Sequence, residues 1–277
     1  MAVDRTRTAK PGPRSEAVPR RETIGAVDHA VGLLRCLSEA GEPLGVNDVA
    51  RRIGVHKSTV SRLAATLEKA RLVQREAATG RLSLGMGLVA LAGPLLAGLG
   101  VRDLVRPLLV RLAETTGETV SFCIWDGTDA VSIEQVPGSN SVRAFATPGH
   151  RDPGHATASG KALLAHLGAK AIADYCSRPL HRFTERTIVN PDALMQELAQ
   201  VRSRGHALNT GELEGDIGAV SAVVFERPAD VAGVITATVP MYRFGRERRE
   251  ELAESVMRAA AELSSMLGLA TPSSRRR

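Results

Sequence analysis

The 277 residues of this chain are enough for two domains, and a hydrophobic share of 43% allows each of them its own core. Aromatic residues make up only 3%, which argues against binding of single-stranded nucleic acids by base stacking. Residues 1–83 contain 15 Lys and Arg against 9 Asp and Glu, whereas residues 84–277 contain 21 of each, so the formal charge of +6 belongs to the N-terminal part. A basic segment joined to a neutral one favours a polyanionic partner such as double-stranded DNA.

Both ends of the chain are basic, and we expect neither to fold. Residues 1–21 interleave arginines with prolines and are predicted to form a disordered tail, which either follows DNA phosphates or keeps the chain in solution. Residues 271–277 are predicted to form a second basic tail. The charged, proline-broken start is unlike a signal peptide, and the three cysteines are far apart, so we expect a reducing, cytoplasmic location and no membrane.

Residues 22–84 are predicted to form a winged helix-turn-helix, in which the second helix of the motif enters the DNA major groove. Apolar residues recur at helical spacing, and Gly54 separates two of the helices by a turn of only two residues. The predicted elements, in chain order, are helices over residues 24–38, 46–53 and 56–69 and wing strands over residues 73–75 and 81–84.

The helix over residues 56–69 is the predicted recognition helix. Its apolar residues fall at positions i, i+3, i+4 and i+7 and form one stripe, whereas hydroxyl residues and an arginine occupy the opposite face. A helix of this kind alone is usually an ordinary solvated helix, so the prediction depends on the tight turn and the wing beside it. The candidate base contacts are Ser58, Thr59, Ser61 and Arg62, and the candidate phosphate or minor-groove contacts are Lys57, Arg62, Arg75 and Arg81.

Residues 82–101 contain no charged side chain, and about 20 such residues would be long enough for a membrane span. Five glycines and Pro94 dilute the apolar character of this segment, which also begins inside a predicted wing strand. Too few residues then remain for a span. We instead predict a linker helix within residues 85–100, with an apolar surface that packs against a partner subunit.

From residue 101 onward, helices alternate with strands, which predicts an α+β domain over residues 101–270. Asp126 and Gly127 are predicted to form a hairpin turn between its first two strands. The predicted helices cover residues 101–115, 157–167, 169–176, 192–204 and 245–267, and the predicted strands cover residues 119–125, 130–136, 141–146, 206–209, 219–225 and 231–239.

Six blocks in this order resemble the IclR family of bacterial transcription regulators over about residues 24–268. Each block is weak alone, and their order carries the resemblance. It implies an N-terminal winged helix, a linker helix and an effector-binding domain of GAF-like fold. It also implies a homodimer, often a dimer of dimers, that binds a pseudo-palindromic operator and a small organic effector. The blocks cover residues 46–50, 54–63, 65–68, 79–85, 116–120 and 155–165.

The resemblance places the effector site at the start of the helix near residue 157 and on later strands. A helix N-terminus is also a ready anion site. Asn209 and Ala219 stand where relatives usually have Asp and often have Cys. We expect an acid or an aromatic metabolite other than the smallest 2-oxo and 2-hydroxy acids. Trp125, Phe122 and Phe145 are candidate contacts for a larger ligand, although buried aromatic residues on strands more often belong to the core. The residues assigned to the effector by resemblance are Gly154, His155, Ala156, Asn209, Ala219, Thr236 and Thr238.

Residues 154–161 look superficially like a phosphate-binding loop. Five residues rather than four separate the glycines, and Ala162 replaces the hydroxyl that would bind Mg²⁺, so we interpret Lys161 as a solvated helix residue. The two nearby histidines lack a further ligand at metal-binding spacing, and Ser159 has no evident His and Asp partners. The sequence predicts no catalytic site, no cofactor and no metal site.

These observations predict a sequence-specific DNA-binding regulator of transcription, with repression favoured over activation, whose operator binding is controlled by a small organic effector. Two alternatives from other classes stay open. One is an architectural DNA-binding protein without a ligand, whose affinity no small molecule would change. The other is an enzyme in which the helix-turn-helix is incidental, and its turnover would survive deletion of residues 1–83.

Overall fold

The computed structural model describes residues 24–98, 101–140 and 149–270. Contacts divide the chain into two compact units, Met1–Gly98 and Leu99–Arg277. Among the described helices, none combines the length and the hydropathy that a membrane span requires. The predictions that lie outside the described residues are the tails over residues 1–21 and 271–277, the strand over residues 141–146, and Phe145.

The N-terminal unit has the element order of a winged helix-turn-helix. Its elements are α1 (Gly25–Ala40), α2 (Val46–Ile53), α3 (Lys57–Lys69), β1 (Val73–Arg75), β2 (Leu82–Leu84) and α4 (Gly87–Gly98). Helix α2 ends at Gly54, whose φ of 70° lies in the left-handed region and turns the chain directly towards α3. β1 and β2 pair as an antiparallel wing. Leu33, Val49, Val60 and Leu82 are fully buried in one core that joins the helices to the wing.

Two glycines fix the point at which the wing ends and α4 begins. The N–H groups of Gly85 and Gly87 donate to the carbonyl oxygens of Leu72 and Arg71, both at 2.8 Å. A Cβ at Gly85 would overlap the Arg71 carbonyl oxygen, and one at Gly87 would lie 2.7 Å from the same atom. In the sequence these glycines only dilute an apolar segment, whereas in the structure they allow close backbone packing.

The C-terminal unit is built on an antiparallel sheet with helices on both faces. The helices are α5 (Val101–Thr116), α6 (Ala158–Leu164), α7 (Ala169–Cys176), α8 (Pro191–Arg204) and α9 (Arg246–Ala270), with a short 3₁₀ helix over Met241–Arg243. The strands are β3 (Thr119–Trp125), β4 (Asp129–Val136), β5 (Arg151–Pro153), β6 (Ala207–Thr210), β7 (Ile217–Arg227) and β8 (Asp230–Pro240). Their order in the sheet is β5-β4-β3-β8-β7-β6.

Side-chain alternation along the strands gives the C-terminal unit two cores. Phe122 and Ile235 point to the face that α5 and α9 cover. Cys123 follows Phe122 in β3 and Val234 precedes Ile235 in β8, and both belong to the core beneath α6 and α8. The α+β fold class is therefore confirmed. Strand β5 was not predicted, because its three residues include two charged side chains and Pro153.

Candidate DNA-binding surface and effector cavity

Burial separates the two faces of α3. Val60, Ala64 and Leu67 are buried against the rest of the N-terminal unit. The opposite face is open to solvent, as a helix that enters a DNA groove requires. Among the residues predicted to contact DNA, Lys57, Ser58, Ser61 and Arg62 are exposed and Thr59 is half-buried.

The start of α3 is capped by a side chain. Nδ1 of His56 accepts a hydrogen bond from the Ser58 N–H at 3.3 Å and lies 2.8 Å from Oγ of Ser58. This cap engages the Ser58 hydroxyl within the protein. The side chains of Lys57 and Arg62 make no hydrogen bond or ion pair with other residues that the structure describes, so both cations are available to phosphates or base edges.

The two wing arginines differ from the cations of α3 because they already have partners. Nε of Arg75 donates to Glu68 at 3.0 Å, and its Nη1 donates to the Gly80 carbonyl oxygen at 3.0 Å. Arg81 donates to the Pro43 carbonyl oxygen at 3.3 Å. Both side chains remain exposed, and a guanidinium carries five N–H donors. Each arginine therefore holds the wing in shape and still has donors to offer.

A cavity lies between the sheet of the C-terminal unit and the start of α6. Its volume is about 100 Å³. Ser121 on β3 and Thr236 and Thr238 on β8 line it from the sheet, and Ser121 and Thr236 are direct cross-strand partners. Asn209 on β6 and Ala219 on β7 line it as well. Strand register thus brings four of the predicted effector residues to one cavity.

The other three predicted effector residues do not line the cavity. Gly154 packs closely against Tyr175, because an added Cβ would lie 2.9 Å from its hydroxyl oxygen. His155 is buried, with Nδ1 3.0 Å from the Tyr175 hydroxyl and Nε2 2.9 Å from the His181 carbonyl oxygen. Burial lowers the pKa of His155. Gly154, His155 and Ala156 therefore belong to the packing behind the cavity.

The chain reaches the cavity directly after Ala156, at Thr157, Ala158 and Ser159. Oγ1 of Thr157 accepts a hydrogen bond from the Gly160 N–H at 3.0 Å and donates to the Pro153 carbonyl oxygen at 3.0 Å. One main-chain donor at the start of α6 is thus already used by a cap. The start of α6 therefore offers an anion fewer free N–H groups than an uncapped helix would.

Asp152 on β5 is a charged group at the cavity that the sequence analysis missed. Its side chain is 19% exposed, its Oδ2 accepts a hydrogen bond from Ser159 Oγ at 3.0 Å, and its Oδ1 lies 3.5 Å from Nε2 of His150. Burial raises the pKa of Asp152 above its ordinary value of 3.8, against the opposing effects of His150 and Ser159. Glu214, an exposed residue, lines the same cavity.

No Phe, Tyr or Trp is among the described residues that line the cavity. The ring of Trp125 lies 6.0 Å from that of Tyr175, in the packing beneath α6 and α7. Phe122 is buried in the core on the opposite face of the sheet. These two candidate aromatic contacts therefore lie elsewhere.

Family models match both units. The IclR helix-turn-helix domain matches residues 26–77, and the model described as bacterial transcriptional regulator IclR C-terminal matches residues 94–265. This chain belongs to the IclR family. Its members regulate transcription by binding DNA and are not enzymes, and this IclR-family protein is therefore a DNA-binding transcription regulator.

Individual relatives match this IclR-family protein over nearly its whole length. The HTH-type transcriptional regulator BhcR of Paracoccus denitrificans is 30% identical over 267 residues, which are 95% of each chain. The transcriptional repressor IclR of Escherichia coli is 27% identical over 259 residues, 92% of this chain and 94% of that one. The structure of an IclR homolog from Microbacterium hydrocarbonoxydans, complexed with 4-hydroxybenzoate, has the same fold, with a TM-score of 0.75, 23% identity and coverage of 88% and 100%.

The interpretation of Lys161 as a solvated residue was wrong for this IclR-family protein. The Lys161 side chain is 1% exposed, and its Nζ lies 2.7 and 2.6 Å from the two carboxylate oxygens of Glu212 and 3.7 Å from Glu197. The Glu212 N–H in turn donates to Oδ1 of Asn209 at 2.8 Å. The ion pair therefore anchors the loop after β6, whose Glu212 is hydrogen-bonded to the cavity residue Asn209. Sequence alone missed it because the partner lies 51 residues further along the chain.

Proposed function

We propose that this IclR-family protein is a sequence-specific repressor whose operator affinity is set by a small organic effector in the cavity of the C-terminal unit. The observation that carries the proposal is the combination, within one chain, of an exposed polar face on α3 and a polar cavity in a separate unit. A DNA-binding protein that responds to no ligand has no need of such a cavity.

On the DNA side, we assign base contacts to Ser58, Thr59, Ser61 and Arg62 of α3. Lys57 and the wing arginines Arg75 and Arg81 would contact phosphates, or the minor groove in the case of the wing. The exposure of these side chains and the excess of positive charge in the N-terminal part of the chain support this assignment. We propose residues 22–84 as the DNA-binding domain and residues 85–100 as the linker.

The operator would be a pseudo-palindrome bound by a homodimer, or by a dimer of dimers. Large apolar side chains exposed on two helices of the N-terminal unit support assembly with further copies of the chain. On α1 and just before it these are Ile24, Val27 and Val31, and on α4 and just before it they are Met86, Val89 and Leu91.

On the effector side, we propose that residues 101–270 form the effector domain and that Asn209, Ala219, Thr236 and Thr238 contact the ligand. Ligand binding would change the fit of the dimer to its operator. A coupling of about 1–3 kcal/mol is enough to change operator affinity about 5- to 150-fold. The acid or aromatic metabolite that the sequence favoured is one ligand class to be tested.

The test is fluorescence anisotropy of the full-length protein on its own upstream intergenic DNA and on a scrambled duplex, near physiological salt. We expect about a thousandfold tighter binding to the native duplex, and an effector that changes this affinity. Equal and steeply salt-dependent binding to both duplexes would contradict sequence-specific regulation and favour an architectural role.

A further inference from the structure

We infer that the effector of this protein carries a protonated amino group, which the carboxylate of Asp152 binds inside the cavity. The inference rests on the proposed function, because it names the ligand class for the same cavity. It differs from the acidic ligand that the sequence favoured.

The charges around the cavity favour a cation. The described lining includes the carboxylates of Asp152 and Glu214 and the imidazole of His150, and it includes no Lys or Arg. The other polar side chains are hydroxyls and one amide, which can form hydrogen bonds with a ligand of either charge. A carboxylate ligand would place a negative charge beside two others with no described lysine or arginine to offset them. An ammonium group would meet the opposite charge.

Two cations close to Asp152 or Ser159 in sequence already have carboxylate partners. Because side chains alternate along β5, Arg151 points to the side of the strand opposite that of its neighbour Asp152. Its guanidinium forms ion pairs with Asp126 and Asp129. The ammonium of Lys161 is held by both carboxylate oxygens of Glu212. Within the described residues, the side chain paired with Asp152 is the half-exposed imidazole of His150, with its Nε2 3.5 Å from Oδ1, and this ring is charged only when it is protonated.

Asp152 also has acceptor capacity that no hydrogen bond among the described residues uses. An ionised carboxylate offers about four lone-pair directions, and the hydrogen bond from Ser159 Oγ occupies one of them. The side chain is mostly buried, so bulk water satisfies the rest poorly. An ammonium group with three N–H donors complements such an oxygen pair.

Another part of the cavity lining suits a hydroxyl or carbonyl group on the same ligand. Ser121, Thr236 and Thr238 present hydroxyls from the sheet, and the Thr236 hydroxyl is hydrogen-bonded to Ser221 at 2.7 Å. The small size of the cavity limits how far this second polar group can lie from the amine. The geometry points to a small hydroxyalkyl amine or a related amino compound.

The test uses compounds of equal size that differ in charge: ethanolamine, ethylene glycol and glycolate, with 3-amino-1-propanol, 1,3-propanediol and 3-hydroxypropionate as a longer set. Binding to the full-length protein is measured by thermal shift and isothermal titration calorimetry. We expect each amine to bind at least about tenfold more tightly than its acid counterpart. Asp152→Asn should remove that advantage and leave the weak binding of the diols unchanged.

Asp230→Asn is the matched control, because Asp230 is an exposed carboxylate at the first position of β8 and the variant has the same change in net charge. Amine binding should be unchanged in this variant. The inference is overturned if an acid binds as tightly as its amine, if Asp152→Asn leaves amine binding intact, or if neither amine binds at millimolar concentration.

Operator binding separates this inference from the proposed function. An acid that occupies the cavity and changes operator affinity would sustain the proposed function while overturning the amine. An amine that binds through Asp152 with no effect on operator affinity would support the ligand class and contradict effector control.

Discussion

The two units of this protein use charge in opposite ways. In the N-terminal unit, Lys57 and Arg62 point into solvent without protein partners among the described residues, so their charges are available to an external polyanion. In the C-terminal unit, Lys161 is 1% exposed and pairs with a carboxylate, and the side chain of Asp152, which lines the cavity, is 19% exposed. An exposed charge can bind a partner outside the protein, whereas a buried charge acts on the few groups that surround it.

The comparison predicts that the charges of the C-terminal unit control stability more strongly. Lys161→Met should destabilise that unit by about 3–5 kcal/mol, because it leaves the Glu212 carboxylate buried without its counterion. Urea unfolding followed by the fluorescence of Trp125, the single tryptophan, measures this change in the C-terminal unit at fixed protein concentration.

Lys170→Ala is the control for loss of a lysine in the same unit. Its ammonium pairs with Asp174 at 2.6 Å, but both side chains are exposed on α7. We expect no measurable shift of the urea midpoint. A loss for Lys161→Met as small as that of Lys170→Ala would remove the distinction between the two kinds of charge.

The same distinction explains which parts of the molecule could be predicted from sequence. The face of α3 follows from helical periodicity over 13 residues, so Val60 and Arg62 were placed correctly inside and outside. Lys161 and Asp152 depend on partners brought together by the sheet and by a loop, and Lys161 meets Glu212 from 51 positions away. Periodicity contains no information about such partners. Strand β5 was too short to be recognised, and Asp152 was missed with it.

Backbone packing at the end of the wing gives the next largest effect. Gly85→Ala should destabilise the N-terminal unit by about 3 kcal/mol, because the new Cβ overlaps the Arg71 carbonyl oxygen. Amide hydrogen exchange in β1 and β2 measures the change. Gly25→Ala is the control, since nothing lies within 4 Å of its added Cβ. Equal protection of the wing in both variants would contradict close packing there.

Removal of an exposed charge should alter function without altering stability. Arg62→Ala should weaken binding to the native duplex by about 2 kcal/mol, or about 30-fold, and weaken binding to a scrambled duplex less. Arg35→Ala removes an exposed charge from α1 and should affect both duplexes slightly and equally. If Arg62→Ala weakens both duplexes equally, Arg62 contacts only phosphates. Urea midpoints of both variants should equal that of the unsubstituted protein.

The smallest effect is expected at Asp152, where a buried charge is proposed to serve ligand binding at a cost to stability. Burial raises the pKa of this carboxyl, so the folded state holds the proton more tightly than the unfolded state. The protonated carboxyl therefore favours the folded state at low pH. This contribution to stability is lost as the pH rises from 3.8, the pKa of the unfolded state, through the raised pKa of the folded state. Asp152→Asn removes that loss and still accepts a hydrogen bond from Ser159.

At neutral pH we expect Asp152→Asn to stabilise the ligand-free protein by about 1 kcal/mol, a rise of about 2–4 °C in the melting temperature. The advantage should shrink as pH falls towards 4, where the Asp152 of the unsubstituted protein becomes protonated as well. Thermal melts from pH 4 to 8 measure it, with Asp230→Asn as the exposed control. The titratable groups that act on the pKa of Asp152 are His150, which lowers it, and Asp129 and Glu214, which raise it. Together with burial they determine the pH at which the stability difference disappears. A variant that is less stable than the unsubstituted protein at neutral pH would mean that His150 and Ser159 already compensate the charge, and that Asp152 is a structural residue like Lys161.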